Sequence, residues 1–194
     1  GLVISVLTAL WSASSGVGVQ QAAAPTVYDL LIGAAKAHDA LRHTDLAELD
    51  LLPANRDLAG AEVELVEQAD RESRLAIGLA PVRGGYEFIV IDCPPSLGML
   101  TLNALCAADA VLVPLQCEYY ALEGLSGLLN TLERVRAAYN PGLRLQGILL
   151  TMFDARTTLS RQVAEEVRKH FGESVFDSVV PRSVRLGESP SHGL

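Results

Sequence analysis

A chain of 194 residues, 49% hydrophobic and 20% charged, is long enough to bury one sizeable core and too apolar to be disordered. Its formal net charge of −8 excludes a protein that binds nucleic acid over its whole surface, so any such contact must come from a local cluster of arginines. The apolar start, Gly1 to Leu10, is too short to span a bilayer and has no basic residue before it, so a cytoplasmic protein is expected.

In chain order, Leu2 to Leu7 is a candidate strand, Ser12 to Gly18 is small and flexible, and Gln20 to Ala24 reads as a loop. Residues 1–24 are atypical of the rest. Thr26-Val27-Tyr28-Asp29 has capping-box spacing, so a short helix is expected through Ile32, stopped at Gly33. Asp39 to Thr44 is polar and predicts a second short helix or turn. Leu49 to Leu52 reads as a strand before Pro53; Ala59 to Val66 and Arg71 to Leu79 read as helices, the second ended by Pro81 and Gly84-Gly85.

The apolar run Phe88 to Ile91 stops at an acid, Asp92. Cys93-Pro94-Pro95-Ser96 turns the chain, and Leu97 to Cys106 has helical spacing. Ala110 to Leu115 is a further strand, ending at Gln116. Leu122, Leu125, Leu129, Leu132 and Val135 fall on one helical face, stopped by Asn140-Pro141-Gly142. Gly147 to Met152 is a strand ending at Asp154. Ser160 to Phe171 is a helix with Gly172 past its end, and Val175 to Val180 is a strand ending at Pro181-Arg182. Apolar strands alternating with helices predict an α/β fold in a single domain, residues 1–194: a mostly parallel sheet with helices on both faces and right-handed crossovers.

In such a sheet ligands gather at the carboxyl ends of the strands. The polar residues there are Asp92, Gln116, Asp154 and Arg182, a set that suits an ion held through water by Asp92 beside a phosphate chain. On residue type alone Asp92 is equally a helix N-cap, Gln116 and Glu118 a polar loop, and Asp154 the cap of the turn before Thr157. The cysteines Cys93, Cys106 and Cys117 lack metal-ligand spacing and predict reduced, largely buried thiols.

The segments IDCPPSLGMLTLNAL, VPLQCEYYALEGLSGLLNTL, GILLTMFDARTTLSRQVAEEVRKHFG and VVPRSVRLGESPSHG together resemble the ParA/Soj chromosome- and plasmid-partition ATPases, of the MinD/ParA class of P-loop proteins with a deviant Walker A motif. The resemblance runs in order from about Val27 to Gly193. It implies a P-loop NTPase-like three-layer fold and ATP with Mg²⁺ sandwiched in a homodimer. It also implies DNA bound without sequence preference, hydrolysis stimulated by a ParB-type partner, and nucleoid association without a membrane. By the same resemblance Asp92 is the Walker B acid near Mg²⁺, Pro181 and Arg182 lie beside the adenine, and Arg156 and Arg185 touch DNA phosphates. Without it, Arg156 and Arg185 read as solvated surface charge.

The family's KGGVGKT-type loop is not matched. Ser14 to Gln21 has Val19 where its Lys would stand and Gln20 where its Thr would stand, and neither Lys36 nor Lys169 sits among glycines. Residues 15–19 align better with the SGLG-type segment after the family's DPQGN motif, with Leu2 to Leu7 in the place of the second strand. The expectation is a chain without the Walker A segment and the final helix, catalytically impaired. A non-enzymatic DNA- or partner-binding remnant is the alternative. MinD-type and nitrogenase iron-protein relatives fit less well, lacking here a C-terminal amphipathic helix or cluster-spaced cysteines, and no GxGxxG follows a strand as a Rossmann dehydrogenase needs.

Overall fold

Short helices cannot stand alone, and parallel strands need their apolar side chains covered; both demands shape this chain. The computed structural model describes residues 2–6, 24–93, 96, 98–118 and 121–183, with the backbone alone for 2–6 and 121. The expected flexible stretch 12–18, most of the loop 20–24, the segment 15–19, Pro94 and Pro95 of the turn, and Arg185 lie outside the described residues. Two compact units form, one from the residues up to Ala108 and one from Asp109 onward.

The first unit contains β1 (Leu2–Val6), α1 (Val27–Ile32), α2 (Ala37–Ala40), β2 (Arg42–His43), β3 (Leu49–Leu52), α3 (Leu58–Glu64), α4 (Arg74–Leu79), β4 (Phe88–Asp92) and α5 (Met99–Ala107). Its sheet has the order β2-β3-β1-β4. β3, β1 and β4 are parallel, with Ile4 opposite both Leu51 and Val90, while β2 is antiparallel. Leu31, Leu51, Leu52, Leu58, Leu65 and Leu75 are fully buried in one cluster. Ile89 and Ile91 pack against it, but Phe88 and Val90 are 62% and 50% exposed. The run is apolar on both sides, yet β4 ends its sheet's order, and only its isoleucine side meets this core.

The helices are tied to one another by side chains rather than by their own caps. α1 has the expected box: Thr26 N–H donates to Asp29 Oδ2 at 2.8 Å, and Gly33 ends the helix at φ 81°. Beyond it, Arg74 Nε of α4 donates to the Leu31 carbonyl at 2.9 Å, where a Cβ on Gly33 would meet the guanidinium at 2.5 Å. The amide of Asn103, from α5, supplies α4: Oδ1 accepts from Leu75 N–H at 3.0 Å, and Nδ2 donates to the Arg71 carbonyl at 2.7 Å. Glu62 of α3 accepts from Leu100 N–H of α5 at 3.3 Å. Tyr28 of α1 donates to both oxygens of Glu64 of α3 at 3.0 Å. The circuit α3–α5–α4–α1–α3 is closed.

Element ends differ from expectation for local reasons. α4 starts at Arg74, not Arg71, because Asp70 takes a positive φ of 56° and the Arg71 carbonyl is turned to Asn103. The stretch Asp39 to Thr44 divides into the end of α2 and the strand β2. There His43 lies opposite Asp50 and bonds it through Nδ1, and the Tyr86 hydroxyl donates to Asp50 Oδ2 at 2.6 Å. Burial raises the Asp50 pKa, but the hydrogen bonds from Tyr86 and His43 together outweigh it and hold the carboxyl below its usual range. The Tyr86 phenol is pushed up to about 12 by burial and by that carboxylate.

The second unit contains β5 (Ala110–Gln116), α6 (Ala121–Ala138), β6 (Arg144–Phe153), α7 (Thr158–Phe171) and β7 (Val175–Pro181), with parallel strands in the order β5-β6-β7. Leu125 of α6, with Ala164 and Val167 of α7, shares one cluster with Ile148 and Leu150 of β6. The predicted stripe on α6 is on the inner side: Leu125, Leu132 and Val135 are buried. β6 is longer than expected and shifts register between Val111 and Leu112 of its neighbour. Gly147 at φ 156° sits where a Cβ would lie 2.6 Å from the Phe176 ring. Among the described residues no helix is long and apolar enough to cross a membrane.

Asn103 is fully buried, so Asn103→Ala strands the Leu75 N–H without a partner. A loss of about 2–4 kcal/mol is expected, read as a fall in the urea midpoint; an unchanged midpoint would show that the circuit is dispensable.

Candidate functional site

The carboxyl end of a parallel strand points backbone carbonyls and side chains toward whatever binds there. Asp92 is the last residue of β4, its backbone in register with Val6 of β1, and it is partly buried. Next along the chain, the Cys93 thiol is pushed up to about 11 by burial and then by the Asp92 charge. A thiol so placed stays protonated near neutral pH and is a packing group. Burial raises Cys106 and Cys117 as well, which agrees with reduced, mostly enclosed cysteines.

The chain leaving Asp92 is pinned where it becomes α5. The Thr101 hydroxyl donates to the Ser96 carbonyl at 2.6 Å. The N-cap of α5 is Gly98, which has no side chain to offer, and Glu62 takes over that role from α3. A Cβ on Gly98 would lie 2.4 Å from Glu62 Oε1. Asp92 is therefore not the cap of this helix by any bond given to it. Glu62, Gly98 and Asn103 had no assigned role in the sequence reading. Asn103 was detectable as a lone amide inside the apolar run LTLNAL; Glu62 had no local signal, since its partner is 38 residues away.

In the second unit the strand ends bring three of the predicted residues together. Gln116 closes β5 opposite Thr151 of β6 and is exposed. Asp154 follows β6. Pro181 closes β7 opposite Phe153, and Arg182 N–H donates to the Phe153 carbonyl at 2.9 Å. Asp154 folds back on Arg156, accepting from its backbone N–H and Nε at 3.0 Å each and from Nη2 at 2.8 Å. These bonds, then the Arg156 and Arg182 charges, bring the Asp154 carboxyl down to about 2. The Arg156 side chain is 89% exposed. The helix behind this turn is capped by Thr157, whose hydroxyl accepts from Ser160 N–H at 3.3 Å, so Asp154 holds the arginine and Thr157 serves the helix.

Parallel strands with polar carboxyl ends and a strand-end acid define an α/β protein of the P-loop NTPase-like class. A family model described as an AAA domain matches residues 9–145. "Chromosome partitioning protein ParA" of Myxococcus xanthus (strain DK1622) is 54% identical over 183 residues, 94% of this chain and 65% of its own length. "Sporulation initiation inhibitor protein Soj" of Bacillus subtilis (strain 168) is 52% identical over 183 residues, 94% of this chain and 72% of its own. Among solved structures, cobyrinic acid a,c-diamide synthase from Mycobacterium smegmatis with bound ATP analog and magnesium superposes with a TM-score of 0.88 at 38% identity, over 99% of this chain and 80% of that one. The chain belongs to the ParA/Soj family of partition ATPases.

Because the Asp154 carboxyl titrates below its usual value, the bonded pair is intact above about pH 4 and is lost as pH falls through about 2. A carboxyl-carbon NMR titration of the parent is expected to give that low midpoint, and Arg156→Ala to return it toward about 4. A midpoint unmoved by Arg156→Ala would refute the pairing.

Proposed function

We propose that the protein acts as a partition ATPase of the ParA/Soj kind. It binds ATP with Mg²⁺, pairs with a second copy, holds DNA without sequence preference and hydrolyses ATP when a ParB-type partner engages it, in the cytoplasm at the nucleoid. The observation that carries this proposal is Asp92 at the carboxyl end of β4, beside β1 and within IDCPPSLGMLTLNAL.

Mg²⁺ is bound through one or two carboxylates together with phosphate oxygens and water. Asp92 fits that role as a hard, strand-anchored oxygen donor. When bound, the ion offsets phosphate charge. In the second unit Pro181 and Arg182 are proposed to lie by the adenine. Arg156 and Arg185 are proposed to meet DNA phosphates, a task suited to a planar, permanently charged group.

A P-loop cradles phosphates with backbone N–H groups, a Lys and a Ser or Thr. Residues 1–194 contain only Lys36 and Lys169, neither in a glycine-rich loop. A polypeptide of these residues alone is therefore proposed to be catalytically impaired, and that same observation favours a second reading, a non-enzymatic DNA- or partner-binding protein.

Two experiments separate the readings. ATP turnover by the 194-residue chain, with DNA and a ParB-type protein present, is expected to stay at background; robust turnover that Asp92→Ala abolishes would show that these residues bind phosphate by another route. Nucleotide-free DNA binding across a salt series is expected to weaken in Arg156→Ala and in Arg185→Ala, each lowering the salt slope by about one. Parent-like binding by both variants would sink the arginine assignment.

A further inference from the structure

Asp92 is held from one side only by the sheet. β1 fixes its backbone through the register Val6 opposite Asp92. What fixes the other side is the start of α5, and the residue that fixes α5 is Glu62. Its carboxylate reaches across from α3 to Leu100 N–H. A carboxylate at a helix N-terminus also meets the positive end of the helix dipole. The reach is possible only because residue 98 is glycine: a Cβ there would sit 2.4 and 2.6 Å from the two Glu62 oxygens. Glu62 and Gly98 therefore form a matched pair. Further along α5, Asn103 is bonded to Leu75 and Arg71, so the body of the helix stays in place whether or not its first turn does.

We propose that Glu62 is a positioning residue for Asp92: by capping α5 through the space left at Gly98, it sets the path of the chain out of β4 and hence the direction of the Asp92 carboxylate. The proposal rests on Asp92 being the carboxylate of the nucleotide–metal site. Glu62 itself touches neither nucleotide nor metal. The role needs an acceptor oxygen at the end of a side chain of this length, so glutamine can serve and alanine cannot. It also needs room at residue 98, so an added methyl group there should expel the carboxylate even though Glu62 is still present.

The test uses the full 194-residue chain as parent, Glu62→Ala, Glu62→Gln and Gly98→Ala, followed by NMR. In Glu62→Ala and Gly98→Ala, amide exchange at Leu100 is expected to quicken about five- to tenfold while Leu75 keeps its protection. The Asp92 carboxyl-carbon resonance is expected to shift in the same two variants and to stay at the parent position in Glu62→Gln. Faster Leu100 exchange with an unmoved Asp92 resonance would overturn the proposal, leaving Glu62 as a helix cap alone. A shift in Glu62→Gln equal to that in Glu62→Ala would overturn it too. The metal reading is checked separately by adding Mg²⁺ with a non-hydrolysable ATP analogue to the parent. If the Asp92 resonance ignores them, that reading fails, whereas the dependence of Asp92 on Glu62 is still decided by the variants.

Discussion

The first unit depends on the need of short helices for partners at their ends. α1 and α4 have six residues each, α3 seven and α5 nine, lengths at which an isolated helix does not persist in water. Every such helix leaves backbone N–H and carbonyl groups unpaired at its termini. Here neighbours satisfy several of them: Arg74 serves the carbonyl end of α1, Asn103 the amide end of α4, and Glu62 the amide end of α5. Each tie is local in energy but long in sequence, so the helices are specified together. The apolar cluster supplies the drive to collapse, and the polar ties select one arrangement of the helices over others of similar burial.

That division explains which parts of the fold were legible in the sequence. The apolar runs at residues 49–52, 88–91, 110–115 and 175–180 were found as strands because composition alone marks them. The Thr26–Asp29 box and the stops at Gly33 and Gly172 were found because a cap is a local pattern. β2 was missed because two residues, one of them charged, have no periodicity; it exists through pairing with β3 and the His43–Asp50 bond. The late start of α4 was missed because its amide end is finished by a residue on α5. In β6, the glycine at residue 147 reads as a strand start, whereas its conformation accommodates the Phe176 ring inside the strand.

The candidate site divides in the same way. Asp92 could be picked out because an acid ending an apolar run is unusual enough to notice, and the surrounding motif string names its family. Its support could not be picked out, since glutamates at residues 62, 64 and 67 look alike in the sequence. Geometry separates two of them: one carboxylate goes to α5 and another to Tyr28. Asp154 offered a choice between helix cap and site residue, and neither description is complete. Thr157 caps the helix, and Asp154 spends its lone pairs on Arg156.

The bond between Asp154 and Arg156 bears directly on how an acidic protein could hold a polyanion. A freely rotating arginine on a chain of net charge −8 loses side-chain entropy when it binds a phosphate and gains little from a field that is repulsive overall. Asp154 changes both terms. It cancels part of the guanidinium charge, which weakens long-range attraction. It also fixes the plane of the group through Nε and Nη2, so less freedom remains to be lost. A guanidinium has five N–H donors, and the edge not facing Asp154 keeps donors for an incoming oxygen. Binding built this way favours close, well-aligned contact over diffuse attraction. The proposed DNA contact of Arg156 would therefore depend on geometry at short range, and the acidic balance of the chain suppresses adhesion elsewhere on the surface.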